Sequence, residues 1–343
     1  MGYKWINRLL SLRSSPVIGM DLGNMNLKLL QLSSHADYEE VDNAYITAWP
    51  QELRNGGWSV RKDVFADFWQ HTLAKSGMNG KYFSIVLDDS LVYTRELKMP
   101  DLNKRELGEA VKWDALQCIP YEEASYGYDF ISRPEVRADG SSGHRVFIAA
   151  VQNHYVDTLM KTINTKHSRI ISVTSGALAL CPLDDLQADA IVIDVGERFV
   201  HLTVFEAGQV CLQYSLELGL TKLRQSLAVA LNIPYPQSEN MDLGFKYAPM
   251  EHIEPIRVAK TQYVREIVLR IGVVIENNGV SLAQEVFLIG GGVYLPELKE
   301  GLEQYFQGPI SVLKALNGIN IARRLNSEYI ENLAPQLALA VGA

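Results

Sequence analysis

The chain has 343 residues, 47% hydrophobic and 21% charged, with 32 basic against 40 acidic side chains and a formal charge of −8. At roughly 100 to 200 residues per domain, that is a globular chain of two domains or of one two-lobed unit, and a poor general binder of nucleic acid or anionic membrane. Cys118, Cys181 and Cys211 are scattered, which excludes a disulfide framework and a paired zinc site and fits a reducing cytosol; no apolar run approaches the ~18 residues of a membrane span.

In chain order, residues 1–16 come first, carrying Lys4, Arg8 and Arg13 and no acid. Trp5, Leu9 and Leu12 share one helical face, so an amphipathic basic helix is expected there. The body opens with an apolar run ending in Asp21-Leu22-Gly23, a turn Asn24-Met25-Asn26, and an alternating run onward through Lys28. This predicts a tight hairpin with Asp21 at the end of its first strand. Strands are expected at 17–21, 26–32 and 40–47, a helix at 62–76 stopped by Gly77, and a strand at 82–87. A helix over Lys104 to Gln117 follows the strand stretch Leu91 to Leu97.

The hairpin design then recurs. The run from Ala190 reaches Asp194-Val195-Gly196, turns through Glu197-Arg198, and alternates to Phe205, with a third strand over 209–216. Two such hairpins half a chain apart predict an internal duplication around a cleft. The loop from Asn232 to Pro255 is the least regular part, and a long helix is expected over 258–278. Val286–Ile289 then reads as a buried strand leading into Gly290-Gly291-Gly292, with Pro296 placed for a first helical turn.

The chemistry of Asp-x-Gly is specific in pairs. The glycine lets backbone N–H groups approach a phosphate, and the aspartate points a carboxylate into the same space, where it can hold Mg²⁺. Asp21 and Asp194 are therefore the candidate metal-side groups. Gly23, Asn24, Met25, Asn26, Lys28 and Gly196 are candidates for the phosphates, and Gly290, Gly291 and Gly292 for the nucleoside end. No P-loop, Rossmann, metalloprotease, serine-hydrolase or kinase motif is present.

Asp-x-Gly, Asp-x-Gly and Gly-Gly-Gly in this order resembles the phosphate 1, phosphate 2 and adenosine pattern of the actin/Hsp70 superfamily. The segment from Glu109 through Ile119-Pro120-Tyr121 to Tyr128-Asp129 is similar to that of the PilM family, actin-like cytoplasmic proteins of type IV pilus assembly. Tyr93–Pro100, Val146–Val151 and Val173–Leu180 also resemble that family, so the likeness runs from about Pro16 to Ala343.

The resemblance implies an α/β, ribonuclease H-like two-lobed fold with a small FtsA/PilM-type inserted subdomain. Lobe I would comprise 17–87 and 166–187, the insertion 88–165, and lobe II 188–343. It implies ATP or ADP with Mg²⁺ in the cleft, and the N-terminal tail of a PilN-type membrane protein as partner. That tail would lie between lobe I and the insertion, against Leu91, Tyr93, Leu107, Ala110, Val111 and Ala115. The protein is then expected on the cytoplasmic side of the inner membrane, held there through its partner and other pilus proteins, and it could form a homo-oligomer. A true ATPase or an FtsA-like filament former is the alternative.

Three places depart from the family pattern, the first being the turn Gly23-Asn24-Met25-Asn26, where the family is usually rich in Ser or Thr. Glu197-Arg198 stands where Ser or Thr is usual, and Gly219-Leu220-Thr221 where Gly-Gly-Asp is usual. A carboxylate beside a triphosphate costs Coulomb energy unless Arg198 or Mg²⁺ compensates it. Nucleotide binding is therefore expected more than efficient hydrolysis.

Overall fold

The structure is a computed structural model describing residues 16–343 except 36, 55, 137–139, 236–242, 244–248 and 283. The expected basic helix lies outside the described residues, Pro16 apart. Strands β1 (Val17–Leu22), β2 (Asn26–Ser34) and β3 (Glu39–Ala48) form an antiparallel meander, followed by α1 (Lys62–Ser76), which ends at Gly77 as expected. β4 (Tyr82–Leu87) then returns parallel to β1. Apart from Ser84 its run is apolar, and from Phe83 onward it is buried on both faces, as parallel strands require.

The chain next leaves the lobe through β5 (Val92–Pro100), α2 (Lys104–Cys118), β6 (Tyr126–Val136) and β7 (Ser142–Gln152), a three-stranded sheet in the order β5-β7-β6. Asn103 starts α2: its side chain accepts from the N–H groups of Arg105 and Glu106, and Glu106 accepts from the Asn103 N–H. That capping box fixes which face of α2 meets the sheet. α3 (Asn153–Ile163) returns to pack on α1, burying Leu159 and Ile163 in the first lobe's core. The insertion thus closes at about residue 152, earlier than the expected 165, because α3's apolar face completes lobe I.

β8 (Arg169–Ser175) pairs parallel with β4, and the short α4 (Gly176–Ala179) crosses to the second half. There β9 (Ala190–Val195), β10 (Val200–Glu206) and β11 (Gln209–Leu216) repeat the meander. α5 (Leu220–Ala230) and α6 (Met250–Asn277) follow, then β12 (Glu285–Gly290) parallel to β9, α7 (Pro296–Phe306) and β13 (Ile310–Val312) parallel to β12. α6 begins before the expected residue 258, so that Pro255 falls inside its second turn rather than ahead of its start.

β14 (Ile319–Ile321) and α8 (Ser327–Val341) cross back. β14 pairs with β3, and α8 lies on β1, β2 and β12. Lobe II therefore does not hold all of 188–343, since its last strand extends the other lobe's sheet. The two sheets read β14-β3-β2-β1-β4-β8 and β11-β10-β9-β12-β13, so both repeat one plan of a three-stranded meander followed by two parallel strands. The duplication expected from the two hairpins is visible in this order.

Among the described residues no helix is long and apolar enough to cross a membrane.

Candidate functional site

Both hairpins turn through four residues, 23–26 between Leu22 and Leu27 and 196–199 between Val195 and Val200. Each turn faces the same cleft, which has a volume of about 350 Å³. Asp21 and Asp194 sit one residue before the strand ends and enter it from opposite lobes.

The pairing register sets what faces each aspartate. Asp21 lies opposite Lys28, and Asp194 opposite His201. Lys28 Nζ is 2.7 Å from Asp21 Oδ2. Burial alone would lower the Lys28 pKa, but the negative field of Asp21, Asp194 and Asp88 raises it above its ordinary value. Burial raises the Asp194 carboxyl, an effect offset in part by His201 and Lys28.

The first turn is rigid. The Trp49 indole N–H donates to the Gly23 carbonyl at 2.7 Å, and the Trp49 backbone N–H donates to the Met25 carbonyl at 2.9 Å. Trp49 is itself buried against Phe65 and Phe68. Gly23, Asn24, Met25, Asn26 and Lys28 all line the cleft, as do Gly196, Gly290 and Gly291.

Gly292 does not. Its Cα hydrogen faces Val195, whose Cβ would lie 2.4 Å from an added side chain. Gly290 has φ +78°, and a Cβ there would be 2.2 Å from Asp194 Oδ1. That glycine makes room for the aspartate as much as for any ligand.

The expected compensation of Glu197 by Arg198 is not what the structure holds. Arg198 turns outward to Glu217 at 2.8–2.9 Å and lies over the Phe199 ring. Glu197 is instead neutralised by Arg224 of α5, with Nε 3.0 Å from Oε1, and accepts from Thr221 Oγ1 at 3.2 Å. The first amides of α5 are also taken, since Leu220 and Thr221 donate to the Gly196 and Glu197 carbonyls. This helix start is therefore used to brace the turn, and those N–H groups are not offered to an anion.

Besides Arg224, the ionisable residues Asp88, Asp89 and His201, all outside the sequence motifs, also line the cleft. Asp88 and Asp89 follow β4, which runs parallel beside β1, so the topology delivers them next to Asp21. His201 Nε2 lies 3.6 Å from Asp88 Oδ2, and its Nδ1 is 2.8 Å from Ser215 Oγ. Burial works against the imidazolium, yet Asp88, Asp89 and Asp194 raise its pKa to about 9. Burial pushes Asp89 up to about 6, and Asp88 is lowered because His201 outweighs its burial. The cleft is also lined by Leu220, Leu243, Tyr294, Gln336 and Leu339, uncharged side chains of the kind that suit a flat ring.

The charge balance decides what fits. Asp21, Asp88, Asp89, Asp194 and Glu197 face Lys28, His201 and Arg224. A phosphate chain alone would meet an excess of carboxylates, whereas one carrying a divalent cation would not. Among the described residues no group of three His, Cys, Asp or Glu could hold a metal by itself. Mg²⁺ commonly takes only one or two carboxylates and fills its shell with phosphate oxygens and water. The donor set therefore fits a cation that arrives with its nucleotide.

At the insertion, Leu107, Val111 and Ala115 are no more than 5% exposed and form the subdomain's own core with Val146, Ile148 and Ala150. They are corrected as partner residues, since the apolar face of α2 is already covered by its own sheet. Ala110, Leu91 and Tyr93 stay half-buried. Leu91 and Tyr155 meet over Gly56, and Tyr93 and Tyr155 both lie close enough to Tyr121 to influence its phenol. This aromatic seam joins the insertion to lobe I. On the outer side of α2, Trp113 and Leu116 are exposed.

The insertion also reaches lobe II. Arg133 and Arg145 both engage Glu206, Arg145 also holds Glu135, and Thr94 Oγ1 donates to Gln213 Oε1 at 2.9 Å.

Several solved structures share this fold. A chain of a PilM–PilN type IV pilus biogenesis complex is 18% identical with a TM-score of 0.77, over 95% of this chain and 96% of that one. The ethanolamine utilization protein EutJ from Carboxydothermus hydrogenoformans is 14% identical (TM-score 0.53, 96% and 88% covered). MreB5 of Spiroplasma citri bound to AMPPNP is 12% identical (TM-score 0.50, 96% and 94% covered). The fold is thus actin-like. Comparison with curated proteins finds no match. The family model for the type IV pilus assembly protein PilM matches residues 19–343, and the chain belongs to that family.

Proposed function

We propose that this protein is a nucleotide-binding scaffold of a type IV pilus assembly complex that takes Mg²⁺ with ATP or ADP in its cleft and grips the tail of a PilN-type membrane protein. The observation that carries the nucleotide reading is the duplicated pair Asp21–Lys28 and Asp194–His201, facing one another across a single cleft. Asp21 and Asp194 would hold the cation, the 23–26 and 196–199 turns would border the phosphates, and the wall at Tyr294, Gln336 and Leu339 would take the base. The cation supplies neutralisation of the phosphate charge. Asn24 and His201 supply donors, and Lys28 supplies a positive charge between the two aspartates. Binding of the nucleotide is the reading, and its turnover is not part of it.

The partner reading rests on family membership and on the PilM–PilN complex whose PilM-type fold this chain shares. The seam of Leu91, Tyr93, Tyr121 and Tyr155 offers half-buried aromatic anchors of the kind that carry interface energy. Membrane association would come through that partner.

The test is fluorescence anisotropy with a labelled peptide of the first residues of the PilN-type protein that accompanies this chain. Saturable binding, weakened at least about tenfold by Tyr121→Ala, is expected. Full-strength binding in a folded Tyr121→Ala, Tyr155→Ala double variant would remove the seam from the reading. Absence of any binding would remove the partner.

A further inference from the structure

Asp88 uses its two carboxylate oxygens in two directions. Oδ2 accepts from Asn24 Nδ2 at 2.5 Å and lies 3.6 Å from His201 Nε2. Asn24 belongs to the first lobe's turn and His201 to the second lobe's hairpin, so this one oxygen ties the lobes together across the cleft. Oδ1 faces the other way. It accepts from the Ser90 N–H at 2.9 Å and from the Ser90 hydroxyl, capping the 3₁₀ turn Asp89–Leu91. That turn leads directly into β5, and its last residue is Leu91, in contact with the aromatic seam.

The neighbouring Asp89 is fixed. It is 6% exposed and accepts from the Ala177 N–H with both oxygens, at 3.0 and 3.2 Å. A side chain on Gly176 would come 2.8 Å from its Oδ2, so the pocket around it has no slack. A rotation of the Asp88 carboxylate cannot be absorbed at Asp89, and it acts on the Ser90 cap.

The two donors that hold Oδ2 are those a phosphate in this cleft would meet. A terminal phosphate carries more charge than a carboxylate and would compete for the Asn24 amide and for the His201 ring, while repelling Asp88. We propose that Asp88 is a positioning residue that reports the terminal phosphate of a bound nucleotide to the partner seam: the phosphate takes Asn24 and His201, the carboxylate turns, and the cap on Asp89–Leu91 loosens. The inference rests on the nucleotide reading of the cleft. The cleft and the seam are then two sites joined by one shared element with a differential contact, which coupling between sites requires.

Hydrogen–deuterium exchange on the full chain tests it, with no ligand, with Mg²⁺–ADP and with Mg²⁺–ATP, alongside calorimetric affinities. In the wild type, amides of 89–93 are expected to exchange faster with Mg²⁺–ATP than with Mg²⁺–ADP or no ligand. Asp88→Ala is expected to exchange fast in all three states and to bind Mg²⁺–ATP about fivefold more tightly, at the lower end of typical coupling. Asp88→Asn keeps the shape, should behave in the same direction, and serves if the alanine variant fails to fold. Wild-type binding of Mg²⁺–ATP with unchanged exchange at 89–93 would overturn the inference and leave the nucleotide reading standing. No binding by the wild type would overturn the nucleotide reading itself.

Discussion

Lys28 and Asp21 stand directly opposite each other on antiparallel β2 and β1, with Nζ and Oδ2 2.7 Å apart, and Asp21 is almost wholly buried. Seven positions separate the two, and the same spacing separates Asp194 from His201 in the other lobe. Each hairpin thus carries its acid and its cation on facing positions, where a four-residue turn places them.

The first prediction concerns that pair. Removing one member leaves a buried charge uncompensated, which costs about 3 kcal/mol. Lys28→Met should lower the unfolding midpoint in urea accordingly, and adding Asp21→Asn should restore most of it, since the pair is then neutral on both sides. Equal stability of the single and double variants would contradict this account of the pair.

The second concerns pH. His201 titrates at about 9 in the folded protein against an ordinary 6.5. A raised pKa means the folded state holds its proton more tightly, so the stabilisation is complete below about pH 6.5 and is lost as pH rises through 9. Stability should fall by roughly 3 kcal/mol across that window. Asp89, raised to about 6, adds a decline of the same sign between about pH 4 and 6. Thermal unfolding from about pH 4 to about pH 9.5 checks this, and His201→Gln should flatten the upper part of the profile.

The third separates two glycines of positive φ. Gly290 has a would-be Cβ 2.2 Å from Asp194 Oδ1, whereas Gly279, at φ +62°, has open space around it. Gly279→Ala should cost about 1 kcal/mol, from backbone strain alone. Gly290→Ala should cost at least about 2 kcal/mol more and disturb the cleft. Chemical denaturation of both variants makes the comparison.

The fourth addresses Glu197. It adds a carboxylate where the cleft already has an excess, and Arg224 and Thr221 hold it in place. Glu197→Ser should raise Mg²⁺–ATP affinity about fivefold or more through reduced like-charge repulsion. Unchanged or weaker binding would show that this position does not face the phosphates.

Much of this site is written in local pattern. Apolar strand, acid, glycine and alternating strand place Asp21, Asp194 and both turns without any structure, and the edges of α1 and β4 follow from periodicity and Gly77. His201 carried a readable signal too, the seven-residue spacing it shares with Lys28, but a single histidine in a strand draws little notice. Asp88 and Asp89 had no signal. They reach the cleft only because β4 lies parallel beside β1, a long-range pairing that sequence spacing does not encode.

The face of α2 shows the opposite limit. Leu107, Val111 and Ala115 repeat at helical spacing, and that pattern reports burial without saying whether a partner or the subdomain's own sheet provides it. β14, with three residues, is too short to carry a pattern, so the return of the chain to lobe I emerged only from the pairing with β3.

The central claim is that the two aspartates serve a nucleotide and its cation. Titration calorimetry of ATP into the wild type, with Mg²⁺ and with EDTA, and into Asp194→Ala tests it most directly. The account predicts binding that needs Mg²⁺ and that Asp194→Ala abolishes in a still-folded protein. No heat of binding in the wild type, or equal affinity with and without Mg²⁺, would contradict it.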